Sequence, residues 1–79
     1  MAGAVAKPIS PEAKQFGKNL RASRKSAGFS QEGFALHCGL DRSYVGQIER
    51  GEKNVTLKTI VTLAEALETT ADQLVIGVH

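Results

Sequence analysis

Residues 28–56 read GFSQEGFALHCGLDRSYVGQIERGEKNVT, and two short helical patterns sit back to back in them around Gly39. Ser30 is a capping residue for the first, which sets Phe34, Ala35 and Cys38 on one face. Gly39 suits the left-handed backbone conformation that a sharp turn between helices requires. Asp41 caps the second helix, which is expected to run to about Arg50 with only Val45 and Ile48 inward. Ala35 is small where two helices must cross closely. Helices this short hold only when packed on other elements. The second keeps an unusually varied set of outward side chains: Arg42, Ser43, Tyr44 and Gln47.

The flanks supply what the pair packs against. Upstream, Ser10-Pro11-Glu12 marks a helix start, with a capping hydroxyl, proline at the first helical position and an acid near the positive helix end. Ala13, Phe16 and Leu20, with Gly17 and Ala27, follow a helical stripe that Gly28 ends. Downstream, GEKN is a loop, and Thr56 caps a fourth helix with Leu57, Ile60, Val61, Ala64 and Leu67 expected inward. Thr70 and Gln73 are spaced as a capping box for a short fifth helix from Ala71 to about Ile76. Five helices and no convincing strand make the chain all-α. Residues 10–79 are read as one domain, with the helix pair at about 30–50, behind a flexible tail, 1–9. The spacing is too irregular for a tandem repeat or a coiled coil.

Composition narrows the function classes. Seventy-nine residues, 42% hydrophobic and 23% charged, make a single domain with no room for an appended catalytic one. A domain this small buries about 60% of its unfolded surface and is only marginally stable. The net charge is +2, yet Lys14, Lys18, Arg21, Arg24 and Lys25 fall together with no acid among them. That asymmetry fits an anionic partner, the alternative being a solvated helix face. The lone Cys38 fits a reducing, cytoplasmic setting and reads as a structural thiol on an apolar face. No apolar run approaches the ~20 residues of a membrane span, and MAGAVAKPI makes a poor signal peptide. His37 and His79 are isolated and His37–Cys38 lack ligand spacing, so no metal or cofactor is expected. Ser43 has no base beside it, Glu65 and Glu68 read as solvated, and no glycine-rich phosphate loop is present, so the chain does not read as an enzyme.

Two short helices across a glycine turn form a helix-turn-helix, whose second helix enters a DNA major groove. The varied outward side chains then match base edges, which present donors, acceptors and methyl groups. At this point LRASRKSAGFSQEGFA, CGLDRSYVGQIERGEKNVT and LAEALETTADQL resemble the phage repressor and Cro family, often called the XRE family, over residues 14–76. In so short a chain, LDRSYVGQIERGEKNVTLKTI is most similar to the controller proteins of restriction–modification systems, a segment that many small prophage regulators share.

That resemblance implies a lambda-repressor-like fold and a set of roles. Arg42, Ser43 and Gln47 fall at base-reading positions, and Tyr44 matches a residue placed near DNA. Gln31 corresponds to a phosphate-contacting glutamine at the start of the second helix. Arg50, Lys53 and Asn54, with Thr56, lie where such proteins meet the DNA backbone or groove. Arg24 and Glu49 match an internal salt bridge between the first and third helices, which takes Arg24 out of the DNA-binding set. Gly46 departs from the pattern, since most members carry a side chain there. It costs roughly 1 kcal/mol of helix propensity relative to alanine, and closer approach to DNA is the expected compensation.

The apolar end, Leu74, Val75, Ile76 and Val78, exceeds what one short helix normally hides. Packing of Leu74 on Phe16 and Leu20 accounts for part of it. The rest, with Leu63 and Leu67, is read as an isologous dimer patch, in keeping with the last two helices through which controller-like proteins pair. The expected function is thus a homodimeric, sequence-specific regulator on a two-fold symmetric operator, serving a restriction–modification operon. RNA polymerase is a partner if the operator sits beside a promoter so as to recruit it. The alternatives are a small prophage repressor or an antitoxin whose apolar end neutralises a toxin, and the neighbouring genes distinguish them.

Overall fold

A computed structural model describes residues 8–78. Among them the chain forms five helices and no strand: α1 (Pro11–Ser26), α2 (Gln31–Cys38), α3 (Arg42–Glu49), α4 (Leu57–Ala66) and α5 (Ala71–Leu74). Four starts are capped by their own sequence. Ser10 Oγ accepts from the Ala13 amide, Ser30 Oγ from Gly33, Asp41 Oδ1 from Ser43 and Thr56 Oγ1 from Thr59, at 2.9–3.1 Å. Each satisfies an amide that the helix leaves without an internal partner.

The turn between α2 and α3 forms as expected. Gly39 has φ 72°, and the Leu40 amide closes back on the Ala35 carbonyl at 2.8 Å. A Cβ at Gly39 would meet nothing within 4 Å, so glycine is needed there for its backbone angle alone. Gly17 is needed for the opposite reason. A Cβ on it would lie 2.5 Å from the carbonyl oxygens of both Ile48 and Glu49. The α1 and α3 backbones therefore meet at this residue, which fixes how close the end of α3 sits to α1.

Phe16, Leu20, Phe34, Ala35, Val45, Ile48, Leu63, Ala64 and Leu74 form one core cluster drawn from all five helices. Leu74 packs with Phe16 and Leu20 as expected. A side chain not anticipated from the sequence, Asn19, secures the end of the chain. Its Nδ2 donates to the carbonyls of Leu74 (2.9 Å) and Ile76 (2.7 Å), while its Oδ1 accepts from Gln15.

Several expectations need correction. On α4, Leu57 and Val61 face solvent, at 75% and 41% exposure, whereas Leu63 is completely enclosed. The helix is rotated from the orientation read in the sequence, because Leu63 and Ala64 together give it its tightest burial. Leu63 therefore has no surface to offer a partner and leaves the dimer patch. Helix α1 ends at Ser26 and Ala27 is exposed, before Gly28 takes its positive φ. Helix α5 stops at Leu74, and Thr70 makes no side-chain cap bond to it, so the capping box does not form. Of the tail at 1–9, residues 1–7 lie outside the described residues, as does His79. Ile9, its last residue, is tied down: its amide donates to the Gly51 carbonyl at 2.8 Å.

Candidate nucleic-acid interface

Four side-chain hydrogen bonds hold the pose of α3. Arg24 on α1 donates from Nε to Glu49 Oε2 (2.6 Å) and from Nη2 to Glu49 Oε1 (3.1 Å), and its Nη1 caps the Phe29 carbonyl (2.7 Å). Gln31, at the start of α2, adds its Nε2 to Glu49 Oε1 (2.9 Å). The ion-paired side chains are 7% and 2% exposed, and among the described residues no buried side-chain nitrogen or oxygen lacks a partner. Complete satisfaction is what makes a buried charge pair tolerable, and removing one partner leaves the other uncompensated. The network joins α1, the α1–α2 loop, α2 and the last residue of α3. Arg24 is structural, as expected, and so in part is Gln31. The amide nitrogen of Gln31 is engaged with Glu49, which leaves its oxygen for a contact outside the protein.

The outer face of α3 carries the expected readers in unequal states. Arg42 is exposed at the first helical position. Ser43 is exposed too, but its hydroxyl donates to Asp41 Oδ1 at 2.9 Å, which leaves it as an acceptor. The same two bonds from Ser43, the amide first, hold the Asp41 carboxyl below the usual carboxylate range. Gln47 is half-buried. Tyr44 is half-buried and packs against the core cluster, so its ring is shared between core and surface.

Beyond the helix, Lys53 and Asn54 are exposed in the α3–α4 loop. The Thr56 hydroxyl serves α4 instead, accepting from the Thr59 amide and donating to Thr59 Oγ1 at 3.0 Å. Thr56 remains exposed while it makes that cap. Arg50 is exposed and paired in a fork with Glu52, Nε to Oε2 at 2.5 Å and Nη2 to Oε1 at 3.4 Å. Hydrogen bonding to Glu52 raises the Arg50 pKa above its ordinary value. Side chains of the protein itself occupy the space over Gly46. A Cβ there would stand 3.1 Å from Arg50 Nη1 and 3.6 Å from Gln31 Oε1. Arg42, Ser43, Gly46, Arg50 and Gln31 line one cleft, and Arg21, Arg24, Gln31, Glu49 and Arg50 line the next. Arg21 was legible only as part of a basic run, because nothing in the sequence shows that α1 brings it beside Gln31 and Arg50.

A capped, glycine-turned helix pair presenting a polar, arginine-bearing second helix defines a helix-turn-helix DNA-binding protein. Comparison with known proteins agrees. The family described as Helix-turn-helix matches residues 20–74, and the chain belongs to it, in its XRE-type branch. It is 46% identical over 57 residues to the control protein C.SmaI of Serratia marcescens, covering 72% of this chain and 68% of that one. It is 41% identical over 63 residues to the HTH-type transcriptional regulator YazB of Bacillus subtilis, covering 80% and 91%. Its fold matches the crystal structure of the restriction–modification controller protein C.AhdI from Aeromonas hydrophila. There the TM-score is 0.79 and the identity 46%, over 82% of this chain and 98% of that one. The chain is a transcriptional regulator related to the restriction–modification controllers. Among the described residues no helix is long and apolar enough to cross a membrane.

Proposed function

We propose that the chain acts as a cytoplasmic homodimer that binds a two-fold symmetric operator and controls a restriction–modification operon. The observation that carries the reading is the outer face of α3, polar along its length and held in a fixed pose by the buried Arg24–Glu49–Gln31 network. A rigid helix bearing Arg42 and Gln47 suits base edges, where geometry discriminates. Exposed Lys53 and Asn54 beyond it suit the phosphate backbone, which positions a protein without reading sequence. The half-free Gln31 and the nearby Arg21 extend that backbone contact on the α1–α2 side.

The dimer rests on the outward side of α4 and the end of the chain. Leu57 and Val61, one turn apart on α4, and Ile76 are exposed, while Leu67 and Val75 are half-buried. These take the place of the enclosed Leu63 in the patch. A symmetric pair of helix-turn-helix units spans half-sites about 34–36 Å apart. The position of the operator relative to a promoter would then decide between blocking RNA polymerase and recruiting it.

The test is a footprint of the purified protein on the DNA flanking its own reading frame, alongside sedimentation at micromolar concentration. A dimer that protects an inverted repeat supports the reading. A monomer that leaves that DNA unprotected refutes it.

A further inference from the structure

Arg42, Gly46 and Arg50 lie at successive i, i+4 spacings, so they stack along one face of α3 and its last turn. Position 46 has no side chain, and the Arg50 guanidinium fills the gap, with Nη1 3.1 Å from where a Cβ would be. Helical side chains lean toward the N-terminus of their helix, which is the direction that carries Arg50 back over Gly46. Its fold-back is braced. Glu52 is only 15% exposed and takes the Nε/Nη2 side of the guanidinium. The Glu52 amide is itself fixed by the Gln47 carbonyl at 2.9 Å.

A guanidinium has two bidentate edges. With the Nε/Nη2 edge occupied by Glu52, the Nη1/Nη2 edge remains, and it lies on the face that also bears Arg42 and Ser43. Two consequences follow from physical chemistry. The adjacent carboxylate offsets the arginine's charge, which weakens its attraction to a phosphate at a distance. The brace also fixes the direction of the free edge, and a fixed fork is what recognition of two acceptors on one base requires.

We infer that Arg50 is a specificity-determining residue that reads a base edge through the gap left by Gly46, with Glu52 as the residue that positions it. This reassigns Arg50 from the backbone contacts, and it rests on the proposed DNA-reading function. The chemical target is a base presenting two acceptors in the major groove, a guanine O6/N7 pair. Arg50 replaces, from the end of the helix, the side chain that α3 lacks at its middle.

The probe is a random-sequence DNA duplex library, then the consensus that the wild-type protein selects from it, with each base pair varied at several salt concentrations. Gly46→Ala displaces only flexible side-chain ends and improves helix propensity, so its unfolding midpoint should hold or rise. It should lose about tenfold preference at one base pair of each half-site and keep the rest. Arg50→Lys keeps the charge without the fork and should lose preference at the same base pair. Glu52→Gln frees the arginine to find a phosphate. It should lose that same preference while binding every duplex more tightly, with a salt slope steeper by about 0.9 per half-site. Full retention of the wild-type preference by all three variants, with affinity changing equally on every duplex, would make Arg50 a phosphate contact and overturn the inference. A wild-type protein that selects no common sequence would instead bring down the DNA-reading function, and this inference with it.

Discussion

Helices α3 and α4 are both short, both capped by their own sequence and both half-buried, yet their outward faces differ in kind. That of α3 presents Arg42 and Ser43, with Gln47 half-exposed and Arg50 just beyond its end. That of α4 presents Leu57 at 75% and Val61 at 41% exposure. The pose of α3 is determined inside one chain, by Gly17 at its contact with α1 and by the Arg24–Glu49–Gln31 bonds. The outward apolar surface of α4 finds no cover within the described residues of the chain. One face is ordered by bonds within its own chain, and the other is the one that the proposed pairing with a second copy would cover. A polar surface that must discriminate needs prior order, whereas an apolar one gains most of its free energy by being covered.

The largest expected effects test the claim that the α3 pose is set internally. Glu49→Ala removes one partner of a buried, fully bonded pair, and denaturant melts without DNA should show a loss of about 3–5 kcal/mol. An unchanged midpoint would mean that the network is dispensable and that α3 is held by packing alone. On α4 the two sides should separate cleanly. Leu63→Ala should cost about 2–5 kcal/mol in the same melts, because it leaves a cavity in the core. Leu57→Ala combined with Val61→Ala should spare the fold and shift sedimentation from dimer to monomer. A dimer that survives the double substitution would move the interface elsewhere.

Effects on the α3 face are expected to be smaller and to divide by role. Arg42→Ala should remove about 1–3 kcal/mol of discrimination at one base pair in each half-site, read by competition between operator variants. Lys53→Ala should weaken all sequences nearly equally and lower the salt slope by about 0.9 per site, since a lysine contributes a point charge without a fork. Exchange of these two patterns would show that the roles are reversed. The smallest effect concerns pH. The folded-state pKa of Asp41 lies below its ordinary value because the carboxylate caps α3. The cap's contribution is therefore complete above the ordinary carboxylate pKa and is lost as pH falls through the lowered one. Thermal melts across acid pH should show Asp41→Asn less sensitive than the parent in that window.

The same two helices show what a single sequence reveals. The rotation of α3 was legible because Val45 and Ile48 are its only large aliphatic side chains, so a single orientation buries them. The sequence of α4 and its C-terminal cap carries Leu57, Ile60, Val61, Leu63, Ala64, Ala66 and Leu67. With apolar residues nearly all round, periodicity does not choose which side meets the core, and Leu63 was assigned outward while Leu57 was assigned inward. Caps at Ser10, Ser30, Asp41 and Thr56 were legible because they act over three residues or fewer. Thr70 follows the same pattern without forming its bond, on a helix only one turn long. The Arg24–Glu49 pair, 25 residues apart, and the Asn19 bonds to Leu74 and Ile76 depend on tertiary placement. The first came through family resemblance, and nothing local signalled the second. Gly46 was noticed as an oddity, but that Arg50 occupies its space was visible only in three dimensions.

The central claim is that two copies of one rigid outward face read DNA together. Selection by the wild-type protein from a random-sequence duplex library tests it most directly. The account predicts a common sequence made of two inverted half-sites whose centres lie about one DNA turn apart, 34–36 Å, or a multiple of that spacing. Recovery of no common sequence, or of a single asymmetric site bound by a monomer, would contradict it.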